Sequence, residues 1–302
     1  MKLGVLIPLI SRYATSNFIR TLGTTAEGLG FHSIWVGEHI VMFDEQESPY
    51  PMAASLGTNG HMLGRPEDRV ELDPFTSLAY LAAITNKIRL GTAVIIMPQR
   101  NPVYTATEAA NVDRLSNGRL DLGIGVGWSA EEFKAVAAPF EKRGARSGSY
   151  VQVMRRLWCD DVSQYKDEYY DLPACRCYPK PIQKPHPPVI IAGHVDATFK
   201  RIAEQGDGWW SIDHTPEQMT PQLNKLEAAL EKHGRALRDI SIVASPYPHK
   251  ADLNMIRRYK DLGVTELVLL AYPDSPSELE RLLNDLAKQY MDPISHGVAR
   301  IS

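Results

Sequence analysis

Arg119-Leu120-Asp121-Leu122-Gly123-Ile124-Gly125-Val126-Gly127-Trp128 reads as a buried strand running into a glycine-rich turn. Its spacing is G-x-G-x-G, whereas a dinucleotide-binding fingerprint needs G-x-G-x-x-G between a first strand and its helix. Three strand–helix units already precede it, so it does not open a Rossmann half. Outward from this stretch, short β-branched runs alternate with segments of helical period, the pattern of an α/β fold. The candidate strands are Lys2–Ile7, Ser33–Gly37, Ile88–Ile95, Arg119–Gly125, Val189–Ala192, Gly208–Ile212, Ile240–Ala244 and Glu266–Ala271. Eight strands with helices between them close a barrel. The expected fold is α/β, a single (β/α)8 TIM barrel with insertion loops, and residues 1–302 are expected to form one barrel domain.

The helix ends carry their own chemistry. Asp73-Pro74, Asn101-Pro102, Thr215-Pro216 and Ser275-Pro276 each set a capping acceptor before a ring already fixed at helical φ. Phe18, Ile19, Leu22, Ala26 and Leu29, and later Leu279, Leu282, Leu283 and Leu286, form stripes that bury against a sheet. Gly30, Asn117-Gly118, Gly206, Gly234 and Gly263 close periodic segments. Two segments break the rhythm, Ile40–Leu72 after the second strand and the proline-rich Asp160–Pro188 before the fifth. Long irregular loops in a compact domain are usually functional. The first follows the C-terminal end of its strand, where barrel enzymes build their sites, so an insertion over the mouth is expected; the second is expected to wrap the outside.

Composition excludes several classes. With 33 Lys+Arg against 36 Asp+Glu, a formal charge of −3 and no long like-charge block, no nucleic-acid partner is expected. Apolar runs such as Leu267 to Ala271 are strand-sized, far below the roughly 20 residues of a membrane span. Cys159, Cys175 and Cys177 form a sparse, odd set without zinc spacing and read as reduced cytoplasmic thiols. No H-x-x-x-H or H-x-H pair occurs, so no metal site is expected. The apolar N-terminus after Lys2 lacks a small-x-small cleavage site and reads as a first strand rather than a signal peptide.

The chemistry-bearing residues cluster at strand ends. Glu38 and His39 end the second strand, and a carboxylate beside an imidazole can bind a polar ring edge or move a proton. The alternative is a hydrogen-bonded structural histidine. Gly123, Gly125 and Gly127 either offer a flat wall to a planar ring or simply bend a barrel strand. Ala192-Gly193-His194-Val195-Asp196 joins the fifth strand to a helix capped at Asp196, with backbone N–H groups able to meet a polar ring substituent. G-x-S-x-G is absent and no cysteine sits at an elbow, which demotes covalent hydrolysis.

These residues spell a resemblance. Glu27-x-Leu29-Gly30-Phe31-x-Ser33-x-Trp35-x-x-Glu38-His39, Asp73-Pro74, Ile88–Val94, Leu115–Trp128, Glu132-Phe133, Phe140-x-x-Arg143, Pro179-Lys180-Pro181, Pro187-Pro188 and Gly206-Asp207-Gly208-Trp209 are similar to the bacterial luciferase-like oxidoreductase superfamily. The glycine-rich segment looks most like its deazaflavin (coenzyme F420) branch. The resemblance implies a cofactor ring at the C-terminal mouth, with Glu38 and His39 facing cofactor and substrate. It also implies that Val126, Gly127 and Trp128 line the ring and that Ala192 and Gly193 contact it through backbone. In the third strand it implies a bulge with a non-prolyl cis peptide between Ala93 and Val94 behind the ring. Trp128 stands where sugar-phosphate dehydrogenases of this branch have a catalytic Glu, which argues against sugar dehydrogenation.

The implied activity is hydride transfer between cofactor C5 and a small, partly apolar organic substrate, with His39 handling the proton and Glu38 orienting it or the cofactor. The alternative is an FMN-dependent monooxygenase served by a flavin reductase, with Arg143 and Arg146 as candidates for its phosphate. A third reading is a cofactor-free barrel acting as a binding subunit. The resemblance further implies a homodimer paired through Pro74–Thr85 and Pro102–Leu115.

Overall fold

The computed structural model describes residues 1–9, 14–56 and 72–291. In chain order the elements are β1 (Lys2–Leu6), α1 (Ser16–Leu29), β2 (Ser33–Val36), α2 (Ala53–Leu56), α3 (Pro74–Ile84), β3 (Arg89–Thr92), β4 (Ile95–Ile96), α4 (Pro102–Leu115) and β5 (Leu120–Gly125). There follow α5 (Ala130–Ala135), α6 (Arg143–Cys159), β6 (Ser163–Lys166), β7 (Asp171–Cys175), β8 (Val189–Ala192), α7 (Asp196–Gln205) and β9 (Gly208–Ile212). The chain continues through α8 (Pro216–Glu231), β10 (Ser241–Ser245), α9 (Leu253–Asp261), β11 (Glu266–Leu270) and α10 (Pro276–Leu286).

All four cap–proline pairs start helices as expected: Asp73, Asn101, Thr215 and Ser275 each accept a backbone N–H of the first turn, with proline at the start of the helix. The Asp196 expectation is corrected by one residue. Val195 is the N-cap, it offers no side-chain acceptor, and Asp196 is already helical, where its charge faces the N-terminal dipole.

Parallel pairing runs β3-β2-β1-β11-β10-β9-β8-β5-β4, and a β3–β5 pairing closes the ring. The result is a (β/α)8 barrel whose third stave is β3 plus β4. The bulge that the resemblance implied within Ile88–Ile95 is present. Gly91 pairs with Asp121 but Ile95 pairs with Ile124, so β3–β4 advances four residues while β5 advances three, which is a one-residue bulge. The Ala93–Val94 peptide inside it is cis. Asp160–Pro188 was expected to lack structure, yet it contains the antiparallel β6–β7 hairpin outside the barrel. Of the Ile40–Leu72 insertion, residues 57–71 lie outside the described residues.

Helices bury their stripes on the outer barrel surface, where Phe18, Leu22, Leu78, Leu81, Phe199 and Leu279 join the main core. The N-terminal end of the barrel interior is polar. Arg89 Nε lies 2.5 Å from Asp121 Oδ2, and Trp35 Nε1 donates to Ser33 Oγ at 2.7 Å and to Glu266 Oε1 at 3.0 Å. Burial pushes the Asp121 and Glu266 carboxyls up, with Arg89 and Ser33 opposing it respectively. Among the described residues no helix is long and apolar enough to cross a membrane.

Candidate active site

Parallel staves end together, so their last residues form one surface at the C-terminal mouth. Inside the barrel Leu6, Trp35, Ile190, Trp210, Val243 and Val268 form a separate apolar cluster, with the Trp35 and Trp210 ring centroids 4.6 Å apart. Half-buried Ala93, Val94, Ala192 and Leu270 pack on this cluster. Ala192 and Leu270 are the last residues of β8 and β11, and Ala93 and Val94 are the bulge. The four make an apolar floor to the mouth.

The glycine ladder of β5 explains why that floor can exist. A Cβ on Gly123 would overlap the Thr92 carbonyl oxygen, one on Gly125 would lie 2.6 Å from Val94 Cγ2, and one on Gly127 would lie 2.7 Å from Ile96 Cγ2. Three glycines at alternate positions thus receive three alternate residues of the bulged stave. Of the two readings left open by the sequence, a ligand wall or a shaped strand, the contacts are those of a shaped strand. The glycines act on the site indirectly, by letting Ala93 and Val94 rise into the mouth. Gly127 is in addition left-handed, with φ 74°.

On the rim, His39 Nδ1 lies 2.8 Å from Glu132 Oε1; the two side chains are 18% and 3% exposed. Glu132 sits in the first turn of α5, whose N-cap Ser129 accepts the Glu132 N–H. The His39 ring also meets Trp128 edge-on, centroids 6.0 Å apart. Glu38 does not pair with His39. Its carboxylate, 2% exposed, accepts the Ile96 N–H at 2.6 Å and an Nη1–H of Arg100, which in turn reaches Glu108 at 2.9 Å. Burial raises the Glu38 carboxyl, with Arg100 and the Ile96 N–H opposing it. Glu38 therefore ties the end of β2 to the segment just beyond the bulge. Both Glu38 and His39 border a cleft of about 390 Å³ that opens toward Asp73, Arg100 and Tyr104.

Across the mouth, Gly193 has φ 124°, and its carbonyl accepts the Trp209 Nε1–H at 2.8 Å. A Cβ there would lie 2.9 Å from Thr198 Oγ1, the atom that accepts from Arg201 Nη2 at 3.0 Å. Arg201 makes no salt bridge among the described residues, its buried Nε has no partner, and burial pulls its pKa down. Arg143 and Arg146 each give one N–H to a backbone carbonyl, Arg143 Nε to Gly127 O at 3.0 Å and Arg146 Nη1 to Pro139 O at 2.6 Å. His214 accepts or donates at Ser211 Oγ, 3.1 Å away, and burial together with His194 holds its imidazole below the usual range.

Of the residues singled out from sequence, Ala93, Val94 and Ala192 meet in the floor, and His39 and Trp128 meet on the rim. Gly193 lies beside the floor, and Val126 is half-buried at the end of β5. Glu132, Arg201 and Leu270 were not singled out as site residues. Glu132 had a signal in the Glu132-Phe133 pair that follows the glycine turn. Arg201 and Leu270 had none, because both enter through packing between distant segments.

Residues 1–254 match the family of luciferase-like monooxygenases. An uncharacterized protein of Mycobacterium tuberculosis is 31% identical over 272 residues, which cover 87% of this chain and 91% of that protein. The monooxygenase RslO1 from Streptomyces bottropensis superposes with a TM-score of 0.75 at 21% identity, covering 97% of this chain and 99% of that one. The coenzyme F420-dependent tetrahydromethanopterin reductase from Methanopyrus kandleri does so with a TM-score of 0.71 at 15% identity, again over 97% and 99%. At these identities the two structures share a fold with this chain.

Proposed function

Because the chain belongs to the luciferase-like family of F420- or flavin-dependent oxidoreductases and monooxygenases, we propose that it is a coenzyme F420-dependent oxidoreductase acting on a small, partly apolar organic substrate. The observation that carries this reading is the apolar floor of Ala93, Val94, Ala192 and Leu270 at the barrel mouth, with a half-buried imidazole paired to a buried carboxyl on its rim. Such a surface suits the face of a planar ring, with one polar group poised at its edge. When bound there, a reduced deazaflavin supplies a hydride. The bulge and Ala192–Gly193 would support one face of the ring, and Val126, Gly127 and Trp128 would border it.

His39 is the proton carrier in this reading. Glu132 is an acceptor, so in the neutral imidazole Nδ1 holds the proton and Nε2 is the basic atom. With the cofactor bound, His39 would hold a proton at Nε2 for the oxygen or nitrogen of a substrate double bond. The proton from His39 and the hydride supplied by the cofactor would together reduce that bond. In the opposite direction the neutral Nε2 accepts the proton. Glu132 stabilises the imidazolium, and Glu38 holds the stave that carries the floor.

Arg201 would hold the phosphate group that both F420 and FMN carry. A phosphodiester has one negative charge and a phosphate monoester about −1.5 to −2 at neutral pH. The single charge of the Arg201 guanidinium matches the diester of F420 more closely than the monoester of FMN. Titrating the protein with F420 and with FMN, oxidised and reduced, tests this. Saturable F420 binding with no FMN binding is expected. Tight FMN binding with substrate-dependent oxygen consumption would overturn it in favour of a monooxygenase supplied by a flavin reductase.

A further inference from the structure

The described part of the insertion crosses the mouth between two anchors. On one side it meets the start of α5: Gln46 Nε2 donates to Ser129 Oγ at 3.0 Å, and Glu131 Oε1 accepts the N–H groups of Glu47 and Ser48 at 2.8 and 2.9 Å. The Ala130 N–H returns a bond to Ser48 Oγ at 3.0 Å. On the other side Ser55, in α2, donates to Asp213 Oδ2 at 2.5 Å, just beyond β9. In the barrel order β5 and β9 flank β8, so residues 46–55 span the end of the β8 stave, where Ala192 contributes to the floor.

Between the anchors lies Pro49-Tyr50-Pro51. A proline fixes its own φ and restricts the residue before it, so both neighbours of Tyr50 stiffen its backbone. The Tyr50 carbonyl also accepts the Ala53 N–H at 3.0 Å, which turns the chain toward Ser55. The Tyr50 ring stands 5.3 Å from Trp128 at 64°, and Trp128 stands 6.0 Å from His39 at 73°. Three half-buried π systems thus lead from the strap to the proton carrier. Their positions are set before a substrate arrives, which reduces the ordering cost of stacking on them.

We propose that Tyr50, held on this doubly anchored strap against Trp128, is the specificity-determining residue of the mouth and selects a flat, conjugated substrate over a saturated one. The inference rests on the mouth being the redox site. Edge-to-face contact rewards an aromatic partner beyond the area it buries, and a puckered ring or alkyl chain forgoes that gain. The discrimination corresponds to roughly tenfold in affinity for one well-made ring contact.

The test uses 2-naphthol and decahydro-2-naphthol, one skeleton in flat and puckered form, titrated calorimetrically into the full chain. The wild type should bind the flat probe about tenfold more tightly. Tyr50→Phe should keep that preference and Tyr50→Ala should lose it, with circular dichroism and thermal midpoint confirming that both variants fold. Equal affinity for the two probes in the wild type, or a preference that survives Tyr50→Ala, overturns the proposal. F420 titration of the same samples is a separate readout: its failure in the wild type refutes the cofactor reading, whereas the probe ratio alone decides the role of Tyr50.

Discussion

His39 Nδ1 and Glu132 Oε1 lie 2.8 Å apart, though 93 positions separate the residues in the chain. The pair fixes the imidazole tautomer from a buried carboxylate. His39→Ala should lower turnover by roughly 10²–10⁴-fold while leaving cofactor affinity nearly unchanged. Glu132→Gln can still accept the Nδ1–H but loses the charge, so a smaller drop of roughly 10–100-fold is expected. Steady-state kcat alongside a cofactor titration checks both. Undiminished turnover in His39→Ala would remove it from the mechanism, and collapsed cofactor binding would recast it as a binding residue.

Alanine at Gly123 places a methyl group on the Thr92 carbonyl oxygen, and neither strand can retreat within a closed barrel. A loss of about 3 kcal/mol or more is expected. Gly28 is the internal control. It lies in α1, and an alanine methyl there would meet nothing within 4 Å, so Gly28→Ala should gain about 0.5–1 kcal/mol. Urea midpoints at constant m-value measure both changes, and a neutral Gly123→Ala would contradict the strand fit.

Stability should decline as pH falls from about 6.5 toward 4. Burial, helped by Lys2 and Arg89, holds the His32 imidazole down at about 4. Between those pH values the unfolded chain takes up a proton that the fold refuses, so stability is full above the unfolded pKa and falls on acidification, levelling below about 4. The linkage is at most on the order of 3 kcal/mol. The slope should flatten in His32→Gln, as followed by urea midpoints at pH 7 and pH 4.5; equal slopes in the two proteins would count against it.

Glu131 behaves in the opposite chemical sense. Burial works against its charge, but the Ser48 N–H and hydroxyl, its own N–H and the Glu47 N–H outweigh that and hold it at about 2. Its grip on the strap is therefore complete above the ordinary carboxylate pKa of 4.5 and is lost as pH falls through about 2. Glu131→Gln should speed amide exchange at Glu47 and Ser48 at neutral pH, read by hydrogen-exchange mass spectrometry. Unchanged exchange would mean that the strap is held elsewhere.

Tyr104 and Leu115 are strongly exposed on α4, at 73% and 62%, within one of the two helices expected to pair. The chain is predicted to form a homodimer. Light scattering at micromolar concentration should give a mass near twice 33.7 kDa; a mass near the single-chain value would exclude the pairing.

What the sequence made legible was local. Caps such as Asp73 and Ser275 depend on a few neighbouring residues, and the staves announced themselves as short apolar runs between them. The β6–β7 hairpin escaped because both of its faces are largely wet, so Ser163–Lys166 and Asp171–Cys175 show no clean apolar alternation, and Pro173 argues against a strand. Register escaped too. The bulge appears only when Gly91–Asp121 and Ile95–Ile124 are compared, and it had to be inferred from resemblance. At the site, Glu38 and His39 were legible as strand-end residues, but their partners were not. Adjacency suggested that they serve each other, whereas folding gives His39 to Glu132 and Glu38 to Arg100.

The seating of Thr92, Val94 and Ile96 in the gaps left by Gly123, Gly125 and Gly127 divides the barrel into a part that can drift and a part that cannot. The stave sits where the Thr92 carbonyl oxygen and the Val94 and Ile96 side chains fill the space left by the three glycines, so a side chain added at any of the three would push it out of place. Trp128 and Tyr50, on the rim and the strap, carry no such constraint. Lineages, or a directed-evolution library, can resculpt the chamber at those positions while the plane beneath it stays level, and new substrates become reachable without rebuilding the redox chemistry.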